Sequence, residues 1–117
     1  NILRNALRYS PPGTRIEASL DCISPAQLGI EMMPQKSSAT ALITIRDYGA
    51  GVPESELAEI FKPFYRVATS RDRQTGGVGL GLAITERAVR SHGGSIRARN
   101  APGGGLQVEI RLPLQAI

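Results

Sequence analysis

Two alternating segments around a run of glycine leave this chain little freedom in how it can fold. SIRARN (95–100) and LQVEIRLPL (106–114) put apolar side chains at every second position, and APGGG (101–105) joins them. Period-two alternation broken by a glycine-rich turn specifies a β-hairpin. A hairpin with one apolar face needs a second layer to cover it, and the rest of the chain supplies candidates.

Ile2, Leu3, Ala6 and Leu7 share one face of a helix over 2–9, which SPPG (10–13) stops. RIEASLDC (15–22) alternates, with Ile16, Ala18, Leu20 and Cys22 on one face, and ALITIRD (41–47) forms a second strand. The polar stretch PQKSSAT (34–40) reads as the hairpin loop between them. VPESELAEIF (52–61) carries Pro near a helix start and acids in its first turn. Residues 65–77 are polar and aperiodic, a loop. LGLAITERAVRSHGG (80–94) is a helix with Leu80, Ala83, Ile84, Ala88 and Val89 inward and glycine at its end. The order α-β-β-α-α-β-β, with adjacent hairpin pairs, predicts an α+β fold. It is a two-layer α/β sandwich, an antiparallel or mixed, mostly antiparallel sheet covered by helices on one face.

At 117 residues the chain forms one domain, 1–117. No apolar run approaches the ~20 residues of a membrane span. The net charge of +4 suits polyanions, but the basic residues are scattered and no Trp is available to stack bases, so nucleic acid is not an expected partner. The single cysteine, Cys22, cannot form an internal disulfide and is expected as a small hydrophobe on a strand face. The opening NILRNALRYS lacks Met and is helical from its first residues, as expected of a fragment beginning in mid-helix.

GGVGLGLAI (76–84) places four glycines among nine residues at the mouth of a helix. Each glycine costs roughly 0.5–1 kcal/mol in a regular element. Such a cluster serves either as a cradle of bare N–H groups for a phosphate or as a hinge. It matches neither standard fingerprint: Leu82 stands where a G-x-G-x-x-G loop needs its third glycine, and no glycine is followed by Lys and Ser or Thr.

A wider constellation runs along the chain. Asn1 and Asn5 lie one turn apart on the first helix, Asp47-Tyr48-Gly49-Ala50-Gly51 ends a strand, FKPF follows a short helix, and the glycine cluster opens the last one. In this order the set resembles the ATP-binding catalytic domain of sensor histidine kinases, of the Bergerat (gyrase, Hsp90, histidine kinase, MutL) superfamily. The boxes fall at 1–9 (N), 47–51 (G1), 61–64 (F) and 76–82 (G2), with an ATP lid over about 65–77. The stretch FYRVATSRDRQTGGVGLGLAI (64–84) is closest in character to proteobacterial envelope-stress sensors of the Cpx type.

The resemblance implies a role for each box. Asn5 would be the principal Mg²⁺ ligand with Asn1 assisting, which suits the cation's preference for oxygen donors shared with phosphates and water. Arg8 would face the phosphates and Tyr9 the adenine. Asp47 would accept a hydrogen bond from the adenine 6-amino group, with Gly49 and Gly51 admitting the base closely. Phe61 and Phe64 would pack the root of the lid, and Arg66, Arg71 or Arg73 would meet the terminal phosphate, Arg66 first. Gly77, Val78, Gly79, Leu80 and Gly81 would fold over the triphosphate. Asn1 stands where the superfamily's ATPases carry a general-base Glu, so hydrolysis is disfavoured and phosphoryl transfer remains. The phosphoryl group would go to a histidine on a separate dimerisation domain and then to a response regulator, in a homodimeric protein of the bacterial inner membrane whose catalytic part is cytoplasmic. His92, before Gly93-Gly94, is expected as a helix cap rather than the acceptor. A non-catalytic ATP or ADP sensor, or an ATPase of the same superfamily, is the alternative.

Overall fold

A computed structural model describes residues 1–24, 39–67 and 80–114. Its elements are α1 (Ile2–Tyr9), β1 (Glu17–Ile23), β2 (Thr40–Arg46), two 3₁₀ turns (Glu54–Glu56 and Glu59–Phe61), α2 (Gly81–Ser91), β3 (Ser95–Asn100) and β4 (Leu106–Pro113). The four strands form one sheet in the order β1-β2-β4-β3, every pairing antiparallel. The expected α+β architecture is present, and among the described residues the sheet is antiparallel throughout.

Strand alternation explains the two faces. Ile43 and Ile45 pair with Ile110 and Val108, and these with Ile96 and Ala98, so one set of apolar side chains crosses three strands in register. Ile2 and Ala6 of α1, Val89 of α2, and Ile60 and Phe61 of the second 3₁₀ turn complete the core on that face. Each of the Val, Ile and Phe side chains among them, once buried, stabilises the fold by about 1.5–3 kcal/mol.

Four expectations are corrected. The helix over 52–61 is two separate 3₁₀ turns; Pro53 precedes the first, Ile60 and Phe61 are buried, and Val52 and Leu57 pack against the core from partly buried positions. Ile84, expected inward on α2, is 55% exposed because the helix leans on Val89. Leu3 and Leu7 are exposed although they flank buried Ile2 and Ala6. Finally, the apolar face of β1 is uncovered: Ala18 and Cys22 are exposed and Leu20 is 71% exposed. β1 is the sheet edge, and neither described helix contacts it extensively.

α2 ends on a Schellman motif, in which Gly94 N–H donates to the Val89 carbonyl at 2.9 Å, Gly93 N–H to that of Arg90 at 3.0 Å, and Gly93 adopts φ +77°. His92 Nδ1 lies 2.8 Å from the Ala88 carbonyl oxygen, the capping position expected for it.

The opposite face of the sheet is polar and centres on Glu109, 5% exposed. Its carboxylate meets Arg97 at 3.1 Å, Arg99 at 3.3 Å and Arg111 at 3.6 Å, and accepts a hydrogen bond from Gln107 at 3.0 Å. Burial pushes the Glu109 carboxyl up, but Arg97, Gln107 and Arg99 outweigh it and hold the group below its ordinary value of 4.5. A carboxyl depressed in the folded state contributes stability above its unfolded pKa, and that contribution is lost as pH falls through the folded value. Urea denaturation between pH 6 and pH 3 should therefore find the chain losing stability below about pH 4.5. Glu109→Gln should be less stable at neutral pH and lose less on acidification.

Candidate functional site

The site is assembled where β2 ends. Asp47 continues the inward side of the alternation after Ile43 and Ile45 and is 6% exposed. Its backbone N–H donates to the Leu106 carbonyl at 3.0 Å, one last rung between β2 and β4. The return bond takes a different form. Leu106 N–H donates to the Asp47 side chain, at 3.1 Å from Oδ1, and Gly49 N–H donates to the same oxygen at 2.9 Å. Two backbone donors thus hold one carboxylate oxygen in place. Among the described residues no hydrogen bond ends on the other, Oδ2, which leaves it available to a ligand.

Two glycines make this geometry possible. A Cβ on Gly105, at φ +88°, would lie 1.9 Å from the Asp47 carbonyl oxygen, and a Cβ on Gly49 would lie 2.4 Å from that of Tyr9. The second contact seats the end of α1 directly on the turn after Asp47. The sequence therefore anticipates the need for glycine at 49, whereas Gly105 carries no signal beyond its place in a hairpin turn.

Around this point the expected residues come together in part. Asn1 and Asn5 follow one another on α1, joined by the Asn5 N–H to Asn1 carbonyl bond at 2.9 Å. The Asn1 side chain makes no capping bond to the helix. It lies against the start of α2, where a Cβ on Gly81 would be 3.7 to 3.8 Å from its Cβ, Cγ and Oδ1. The starts of α1 and α2 thus touch across the helix layer. Leu80 directly precedes α2, its carbonyl accepting the Ile84 N–H at 2.9 Å. Arg8 and Tyr9 are exposed at the end of α1, and Gly51 takes φ +75° beneath Asn100. Gly76, Gly77, Val78 and Gly79, with Arg71 and Arg73, lie outside the described residues.

In FKPF (61–64) Phe61 is buried, but Phe64 is 70% exposed at φ +66° and so does not pack as expected. The neighbouring Tyr65 does the anchoring. Its hydroxyl donates to Glu56 at 2.5 Å, and that bond, followed by burial, pushes the phenol up to about 12. Arg66 is half-buried just beyond it.

Sequence reasoning missed Asn100. Its side chain accepts from Val52 N–H at 2.9 Å and donates to the Val52 carbonyl at 2.6 Å, standing in for a backbone partner and fixing the segment after Gly51. No motif marks it, because its role depends on two segments 48 residues apart in sequence.

Among the described residues no three His, Cys, Asp or Glu side chains gather into a metal cage. The donors expected for a cation are the amide oxygens of Asn1 and Asn5, one turn apart at the start of α1. That donor set fits Mg²⁺, which keeps waters and substrate phosphate oxygens in its shell rather than filling it from protein.

The chain matches the family model described as histidine kinase-, DNA gyrase B- and HSP90-like ATPase over residues 1–116. The chain belongs to this family. It is 42% identical over 114 residues to the sensor histidine kinase CpxA of Escherichia coli K12, covering 97% of this chain and 21% of that protein. It is 37% identical over 113 residues to WalK of Bacillus subtilis, covering 97% and 16%. The chain therefore spans about a fifth of the length of these relatives. The solved mycobacterial sensor histidine kinase MprB superposes with a TM-score of 0.79 at 33% identity, covering 99% of this chain and 69% of that one.

Gly105→Ala should destabilise the chain by about 2 kcal/mol or more through strain at the Asp47 carbonyl. Gly104→Ala, whose added Cβ meets nothing within 4 Å, should cost less. Chemical denaturation of the two variants side by side measures the difference.

Proposed function

We propose that this chain is the ATP-binding catalytic domain of a two-component sensor histidine kinase, donating the γ-phosphoryl group of ATP to a histidine on a separate dimerisation domain. The observation that carries the reading is Asp47: a buried carboxylate with one oxygen held by two backbone N–H groups and the other available. That arrangement suits a fixed acceptor for the adenine 6-amino group. A guanine, with a carbonyl oxygen at that position, would meet oxygen against oxygen.

The remaining roles follow from position. Asn5, with Asn1, offers amide oxygens beside the phosphates. Magnesium, when bound there, would offset phosphate charge and hold the terminal phosphate in line. Tyr9 and Gly49, in contact through the α1 backbone, border the base, with Gly51 beyond. Arg8, and Arg66 at the root of the lid, would meet phosphate, and Gly77, Val78, Gly79, Leu80 and Gly81 would bring backbone N–H groups over it. In the transfer a histidine ring nitrogen bonds to the γ-phosphorus as the bond to the β–γ bridging oxygen breaks, and ADP leaves. Positioning and charge neutralisation are most of what such a reaction needs from a protein. The residue one turn before Asn5 is Asn1, which has no basic side chain to activate water, so transfer is favoured over hydrolysis. A response-regulator aspartate would then receive the phosphoryl group, and the whole protein would be a homodimer in the bacterial inner membrane with this domain on the cytoplasmic side. No described helix of the chain is long and apolar enough to cross a membrane.

Radiolabelled ATP supplied with the matching dimerisation domain tests the reading: label should appear on its histidine, and no label at saturating Mg-ATP overturns it. Asn5→Ala should abolish magnesium-dependent ATP binding while leaving the thermal unfolding transition in place. Asp47→Asn should weaken ATP binding by about 1–3 kcal/mol, the range for a spoiled buried hydrogen bond, measured by calorimetric titration.

A further inference from the structure

We infer that Arg46 is a positioning residue for nucleotide selectivity, acting from the face of the sheet opposite the site by holding the turn that fixes Asp47. The inference rests on the reading of Asp47 as the adenine acceptor.

The orientation of the Asp47 carboxylate depends on the Leu106 N–H, and Leu106 follows three consecutive glycines at φ +86°, +107° and +88°. A glycine run populates many backbone conformations and has no side chains to restrain it. Two backbone bonds close the turn, Ala101 N–H to the Gly105 carbonyl at 2.9 Å and Gly104 N–H to the Ala101 carbonyl at 3.0 Å. Only one side chain among the described residues hydrogen-bonds it. Arg46 Nη2 donates to the Pro102 carbonyl at 2.7 Å and to the Gly104 carbonyl at 3.2 Å, spanning the turn like a staple.

The staple is itself held. Residues 46 and 48 flank Asp47, so alternation sends both side chains to the face away from it. There the Arg46 guanidinium carbon lies 4.3 Å from the centre of the Tyr48 ring. The Tyr48 hydroxyl donates to Glu17, and Arg15 approaches it at 3.4 Å while pairing with Glu17 at 3.1 Å. Arg46 Nε is buried with no hydrogen-bond partner among the described residues. A buried donor left unpaired destabilises and calls for an explanation; here the guanidinium sits where Nη2 reaches the turn and the ring covers its face, at the expense of Nε. The order of dependence runs from Glu17 through Tyr48 and Arg46 to the turn, Leu106 N–H and Asp47 Oδ1.

A loosened turn would free the Asp47 carboxylate to rotate, and the interaction lost first is the one with the adenine 6-amino group, not those with phosphate. Inosine triphosphate, which replaces that amino group by a carbonyl oxygen, reads this out. Binding of ATP and of inosine triphosphate, each with magnesium, should be titrated calorimetrically for the unaltered chain, Arg46→Met and Arg46→Lys. The unaltered chain should prefer ATP. Arg46→Met should reduce that preference about tenfold, the scale of one hydrogen bond, while inosine triphosphate affinity stays within about twofold. Arg46→Lys, which keeps the charge over Tyr48 and one donor, should recover part of the preference. Amide hydrogen exchange at Leu106 without nucleotide should quicken in the order Arg46, Lys, Met, a readout that needs no binding and stands if Arg46→Met binds poorly. An unchanged ATP preference in both variants, or unchanged Leu106 exchange, overturns the inference. If the unaltered chain binds the two nucleotides equally, the Asp47 reading itself fails and the inference falls with it.

Discussion

The carboxylate of Asp47 takes the place of a backbone carbonyl at the end of the β2–β4 ladder, and the site is built outward from that exchange. Strand pairing brings Leu106 opposite Asp47, and the Leu106 N–H finds a side-chain oxygen rather than the main chain. Gly49 adds a second donor to the same oxygen. A buried carboxylate without such donors would be costly, and with them it becomes a rigid acceptor. The same closeness forces glycine at 49 and 105, because the α1 backbone and the Asp47 carbonyl occupy the space a Cβ would need.

The two faces of the sheet carry different work. The helix side holds the apolar core and sets Gly81 against Asn1 at one end of α1 and Gly49 against Tyr9 at the other. The open side carries no helix among the described residues and relies on charge: Glu109 draws Arg97, Arg99 and Arg111 together across β3 and β4, and Glu17, Tyr48 and Arg46 bridge β1, β2 and the β3–β4 turn. Glu109 stays below its ordinary pKa despite burial, because Arg97, Gln107 and Arg99 favour its charged form. The polar face thereby ties together strands whose other face carries the core.

Much of the fold was legible because it depends on local pattern. The strands at 95–100 and 106–113, the helix opening at Gly81 and the stop after Tyr9 follow from alternation, glycine and proline, which act over a few residues. What misled was burial. Leu20 and Ile84 carry the right periodicity yet face solvent, since periodicity says which side chains share a face and not whether another layer covers it. The segment 52–61 had acids and proline as a helix start should, yet it folds as two short 3₁₀ turns that set Ile60 and Phe61 in the core.

The sequence by itself determined the order of the strands and the two α-helices, the glycine turn between β3 and β4, and glycine at 49, where the α1 backbone passes close. Only the tertiary structure decided that Asn100 ties down Val52, that Arg46 staples a turn 56 residues further along the chain, and that Leu106 supplies the donor for Asp47. The reason is physical: these are hydrogen bonds between groups far apart in sequence, and their partners are chosen by strand register, which no single segment encodes.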